Sequence, residues 1–99
     1  GNGEWETLEN NTKEINFDVF PNPASQKSYL RFNLGISQEL EINIYNLLGE
    51  IVFKTDKLFQ SGNSTILLFD FIENNPSGFY FIELSSKNYY GQDIIILSK

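Results

Sequence analysis

The stretch Glu39-Leu40-Glu41-Ile42-Asn43-Ile44-Tyr45 alternates apolar and polar side chains, so Leu40, Ile42 and Ile44 share one face and Glu39 and Glu41 the opposite one. A period of two belongs to a β-strand, because successive Cβ atoms point to opposite sides of the pleat. The pattern continues outward in both directions. Upstream, Ile15, Phe17 and Val19 alternate, then Leu30, Phe32 and Leu34; downstream, Ile51 and Phe53 alternate with Val52 and Lys54. Thr65 to Phe69 is a continuous β-prone run, and Phe79-Tyr80-Phe81-Ile82-Glu83-Leu84 and Asp93 to Leu97 complete a set of about seven short strands. Turn formers separate them: Pro21-Asn22-Pro23-Ala24-Ser25, Gly35, Asn46 with Gly49, Ser61-Gly62-Asn63, Asn74-Asn75-Pro76-Ser77-Gly78, and Lys87-Asn88 with Gly91. Leu47-Leu48-Gly49 reads as a tight connection between strands, since the flanking apolar pattern has strand period on both sides. Strands at such intervals, with no helical segment between them, predict an all-β fold, an antiparallel sandwich.

The rest of the composition bounds what such a sandwich can do. Ninety-nine residues, 40% of them apolar and including nine Phe and five Tyr, suffice for one core and one domain. With no Cys there is no disulfide scaffold or thiolate site, and with no His the usual zinc ligand and general base are missing. A net charge of −6 repels phosphate backbones and anionic head groups, so no nucleic-acid partner is expected. The longest apolar run, Ile94 to Leu97, is far short of a membrane span, so no direct membrane insertion is expected either. The absence of Met, even at position 1, suggests a piece of a longer precursor. Gly1 to Glu14, with Glu4, Glu6, Glu9 and Glu14 and little to bury beyond Trp5 and Leu8, reads as a flexible acidic linker; the domain runs from Ile15 to Lys99.

Candidates for chemistry are weak. Glu39 and Glu41 sit where solvent-facing charge belongs on a half-buried strand rather than across a catalytic cleft. Ser25 with Lys27, and Ser86 with Lys87, are the nearest approach to a serine–lysine pair, in turn-like segments where hydroxyls commonly satisfy the local backbone. No calcium or phosphate loop is present, and no cofactor or metal is expected. Asn10-Asn11-Thr12 and Asn63-Ser64-Thr65 match the glycosylation acceptor pattern, which is too short to decide anything. Phe17, Phe32, Phe53, Phe69 and Phe81 are assigned to the core. Tyr29, Tyr45, Tyr89, Tyr90 and Trp5 leave open a carbohydrate-binding or adhesion module, with Tyr89-Tyr90 at a hairpin tip. A spacer of fibronectin-like type is a further alternative.

Four motifs fall in one order: Phe17-Asp18-Val19-Phe20-Pro21-Asn22-Pro23-Ala24-Ser25, Ile44-Tyr45-Asn46-Leu47-Leu48-Gly49-Glu50, Pro76-Ser77-Gly78-Phe79-Tyr80, and a hydrophobic strand closing on Ser98-Lys99. This order resembles the C-terminal sorting domain of bacterial type IX secretion cargo, type A, over Ile15 to Lys99. The resemblance implies an immunoglobulin-like sandwich that is no enzyme but an address on a larger secreted cargo. It implies as partners an outer-membrane translocon component or shuttle protein and a sortase-like protease that removes the domain at the surface, the cargo often then being joined to an anionic lipopolysaccharide. Recognition on this basis falls to Pro21, Asn22, Pro23, Leu48, Gly49, Pro76, Gly78, Tyr80 and Lys99. Two prolines stiffen the first corner, and Gly49 and Gly78 suit positive-φ or closely approached positions. The chain departs from the pattern at Gln92 and Asp93, where members carry basic residues, and at Asn75, where Ile72 is available to replace a buried Leu. Cleavage is expected within Gly1 to Glu14, where protease access costs least.

Overall fold

In the computed structural model, which describes residues 13–99, the alternating stretches become strands of two sheets that share one core. The elements are β1 (Lys13–Glu14), β2 (Phe17–Phe20), β3 (Tyr29–Leu34), β4 (Gln38–Tyr45), β5 (Ile51–Phe59), β6 (Gly62–Leu67), α1 (Phe69–Asn74), β7 (Gly78–Ser85) and β8 (Tyr89–Leu97). One sheet has the order β1-β8-β7-β4-β5 and the other β2-β3-β6. All ladders are antiparallel except β1 with β8. The all-β sandwich matches the immunoglobulin-like expectation, with β1 as a strand beyond the seven read from the sequence.

The β4 alternation works as its pattern requires. Leu40, Ile42 and Ile44 are fully buried and meet Leu30, Phe32 and Leu34 of β3, Ile82 and Leu84 of β7, and Ile95 and Leu97 of β8. Each such side chain contributes roughly 1.5–3 kcal/mol relative to exposure. Phe59 closes the core edge-on to Phe32, with ring centroids 5.2 Å apart.

Several local expectations are corrected. Thr65 to Phe69 is not one strand: β6 ends at Leu67, and Phe69–Asn74 forms a helix although none was expected between strands. Leu68, Phe71 and Ile72 are buried at helical spacing, and tertiary burial overrides the β-propensity of the run. Ile72 is thus a buried apolar residue of the helix that precedes Pro76-Ser77-Gly78. Phe69, now on the helix, is 55% exposed, and Phe81 is 37% exposed because the pairing directs Tyr80 and Ile82 inward instead. Gly62 and Asn63 belong to β6 rather than a turn, and Tyr89 and Tyr90 begin β8 rather than cap a hairpin. Lys13 and Glu14 pair with Tyr89 and Tyr90, so the ordered ladder starts inside the stretch assigned to the linker. The remainder of that linker, with Trp5, lies outside the described residues.

Gly91 shows why this crossing needs a glycine. A Cβ there would stand 2.8 Å from both Ile15 Cγ2 and the Ile15 carbonyl oxygen. Among the described residues, no helix is long and apolar enough to cross a membrane.

Candidate functional site

The ladder registers bring the motifs together. Phe20 pairs with Tyr29 and Tyr29 with Leu67, which puts the Pro21–Ser28 corner beside the start of α1. Gly78 pairs with Leu97, and Tyr45 with Phe81, so the β4–β5 turn, the entry to β7 and the exit from β8 lie at that same end. Pro21, Asn22, Pro23, Leu48, Gly49, Pro76, Gly78, Tyr80 and Lys99 therefore occupy one pole of the sandwich, although they span most of the chain.

At this pole the corner closes the margin of β8. Prolines carry no N–H for a ladder, and the Asn22 carboxamide takes over both pairing roles. Its Nδ2 donates to the Ile94 carbonyl at 3.2 Å and its Oδ1 accepts from the Ile96 N–H at 3.1 Å. Ala24 continues the pairing, donating to the Ile96 carbonyl at 2.6 Å and accepting from the Ser98 N–H at 2.9 Å. Upstream on the same margin, the Ile15 N–H donates to the Tyr90 carbonyl at 3.1 Å. An unpaired edge is a template for another chain, and this one is covered along much of its length.

Ser28, 1% exposed, fastens the corner from beneath. Its hydroxyl donates to the Pro21 carbonyl at 2.9 Å and accepts from the Ser25 N–H at 3.0 Å. Its carbonyl accepts from the Leu68 N–H at 3.1 Å, tying corner to helix. Lys99 secures the other side: its Nζ donates to the carbonyls of Asn75 at 2.9 Å and Glu73 at 3.3 Å, where a cation complements the end of α1.

Tyr80 is not presented to a partner. It is 5% exposed, its ring meets Phe71 edge-on at 5.0 Å, and its hydroxyl donates to the Pro76 carbonyl at 2.6 Å. Burial raises its pKa above the ordinary phenol value. Leu48 is the opposite case, 85% exposed at the tip of a turn held by Asn46. Asn46 Oδ1 accepts from the N–H groups of Leu48 at 2.9 Å and Glu50 at 3.0 Å. Gly49 sits at φ +83° there, as its place in the turn requires, and Gly78 at φ +156°. Pro21, Asn22, Pro23, Pro76 and Lys99 are exposed as well.

Ser28 and Ala24 were not singled out for a role in the sequence, and only the surplus of small residues after the prolines hinted at them. A cleft of about 510 Å³ between Lys27, Phe69, Ile72 and Lys99 opens beside the corner.

The tyrosines do not form one platform. Tyr29 lies against Phe20 on the three-stranded sheet beneath the Arg31 guanidinium, Tyr89 packs against the core, and Tyr45 and Tyr90 flank Glu83 on the five-stranded sheet. Tyr45 is pushed up by burial and then by Glu83, and Tyr90 first by its hydrogen bond to Glu83. Arg31 grips Asp18 through two hydrogen bonds, at 2.7 and 3.2 Å, and holds that carboxyl below the usual range. The Ser86 hydroxyl donates to Gln38 Oε1 at 2.6 Å and accepts from the Tyr89 N–H, a turn-fastening role. Asn63 bonds to Asn33 in the β3–β6 ladder. Among the described residues, no acidic cluster is placed to hold a metal ion.

A family model described as the secretion system C-terminal sorting domain matches residues 18–97. No curated protein matches the chain.

Proposed function

Because the chain belongs to the family of secretion system C-terminal sorting domains, we propose that its motif pole is the surface by which an outer-membrane translocon component or shuttle protein recognises it. The domain is a sorting signal of the type IX secretion system, and export to the cell surface or release follows from that. The observation that carries the finer proposal is the convergence of all the motifs at one pole. There a preordered corner, an Asn46-braced turn and a Lys99-capped helix lose little entropy when gripped.

The far pole supports a division of labour. Lys13 donates to the Asn88 carbonyl at 2.7 Å there, so a cargo joined ahead of Gly1 leaves the sandwich at the end away from the motifs. A sortase-like protease would then cut upstream of Lys13, and the cargo's own activity is physically separate from its address. Fusing residues 1–99 behind a periplasmic reporter, in a host with this pathway, should deliver the reporter to the surface or medium. Full retention in the periplasm overturns the proposal. The released reporter should carry a new C-terminus before Lys13 by mass spectrometry, and a cut inside the sandwich would refute the placement.

A further inference from the structure

The outer face of the five-stranded sheet is divided in two. Toward the motif pole, β7 and β8 set Phe79 opposite Ile96 and Phe81 opposite Ile94, and these side chains are 55%, 38%, 37% and 49% exposed. Leu47 and Ile51, at 66% and 51%, extend the patch along the β4–β5 turn. Half-exposed rings and aliphatic chains of this size leave an apolar patch of roughly several hundred Å², in the range of the largest patch on a monomer, which is often a functional one. The three-stranded sheet has a comparable row, Phe20, Tyr29 and Leu67, but there the Arg31 guanidinium lies 4.9 Å above the Phe20 ring.

Next to the patch stands a carboxylate that no cation pairs with among the described residues. Glu83 follows Phe81 on the same face, and the Tyr45 and Tyr90 hydroxyls donate to its two oxygens at 3.1 and 2.8 Å. The ion pairs among the described residues are Arg31 with Asp18 and Lys54 with Glu41, so the attraction of Glu83 for a positive charge is unspent. A notch of about 320 Å³ between Tyr45, Leu47, Phe81, Glu83 and Gln92 leads to it. Lys54 stands level with Glu83, two strands away through Asn43, and pairs instead with Glu41 at 3.8 Å, one step farther toward the far pole.

We propose that this face is a second docking surface of the domain, beside the motif pole, and that its occupant is a protein presenting aliphatic side chains beside an arginine or lysine. The aliphatic groups cover Phe79, Phe81, Ile94 and Ile96. The stem of the basic residue lies over Phe81 and Tyr45, and its head reaches Glu83. The acidic neighbour argues for a basic protein rather than an anionic lipid surface, and against a second copy of this acidic chain. This rests on the sorting role of the domain, and it names the partner's chemistry at a face built from Phe79, Phe81, Ile94, Ile96 and Glu83, none of them among the residues assigned to recognition from the sequence.

The test uses the reporter fused to residues 1–99 with Phe79, Phe81, Ile94 and Ile96 all replaced by Thr, which keeps strand propensity while removing apolar surface. The expected result is a secreted fraction at least about tenfold lower, the effect of losing one interface anchor, with the purified variant folded and its thermal midpoint near the parent's. Glu83→Lys should also lower secretion, and Glu83→Gln should lower it less. Normal secretion of the Thr variant overturns the docking face while leaving the sorting role intact. Failure of the parent fusion removes both. Glu83→Lys secreted as well as the parent overturns the basic partner. Binding of the purified parent to phosphatidylcholine–phosphatidylglycerol vesicles, lost in the Thr variant, would assign the face to lipid. A concentration-dependent dimer lost in the Thr variant would assign it to a second copy. Either result overturns the proposal.

Discussion

The two poles of the sandwich are built differently. The loops of the motif pole belong to the core: Ala24, Ser28, Leu68, Phe71 and Ile72 are each no more than 2% exposed. The loops of the far pole contribute little. Gly35, Ile36, Ser37, Gln60, Ser61, Lys87 and Asn88 are all exposed, and side-chain hydrogen bonds among them, such as the Ser37 hydroxyl to Gln60 Oε1 at 3.2 Å and the Ser61 N–H to the Ser37 hydroxyl at 3.0 Å, lie at the surface. A loop that carries core residues has its shape set by packing, whereas a loop fastened only at the surface can be altered at little cost. The motif pole thus presents a surface whose geometry is as durable as the fold itself.

The contrast is open to direct attack. The largest effect should come from Phe71→Ala, which empties a core site between α1 and Tyr80 and should cost about 3–5 kcal/mol, against less than about 0.5 kcal/mol for the exposed Ile36→Ala. Urea unfolding of both variants measures the difference, and equal losses would abolish the distinction between the poles.

Next is Ser28→Ala. It strips a buried hydroxyl from the Pro21 carbonyl and the Ser25 N–H and should cost about 1–3 kcal/mol. Ser37→Ala, at the far pole, should cost well under half as much. The same unfolding curves decide it.

The smallest effect sharpens the contrast through pH. Burial raises the Tyr80 pKa above its ordinary value of 10.0. The neutral phenol is therefore favoured by folding, and its contribution is complete below about pH 10 and lost as the pH climbs through the raised folded value. Tyr80→Phe should cost about 1 kcal/mol at pH 7, for the lost bond to the Pro76 carbonyl, and should flatten the alkaline loss of stability. Some slope should persist, because Tyr45 and Tyr90 are also raised. An unchanged alkaline slope would show that Tyr80 is not held as the structure indicates.

Much of this architecture is legible locally. Period-two alternation marks β3, β4 and β7, since it depends only on the pleat, and Asn46 with Gly49 marks the turn, since both act within a few residues of themselves. Reading failed where two local signals competed. Leu68, Phe71 and Ile72 have helical spacing, but they follow a β-prone run too short for periodicity to arbitrate. Tyr80 carried the right motif with the wrong emphasis, because whether a strand residue faces in or out depends on the sheet around it.

The chain's own order of residues determined the strand character, the acidic surface, the lack of thiol and imidazole chemistry, and the family to which the motifs belong. Each depends on side-chain type or on spacing over a few positions. Only the tertiary structure decided that Asn22 would pair with Ile94 and Ile96, that Ser28 would be sealed beneath the corner, and that Phe81 and Ile94 would stand side by side in the open. Those contacts join residues far apart along the chain, and their partners are chosen by sheet order and register.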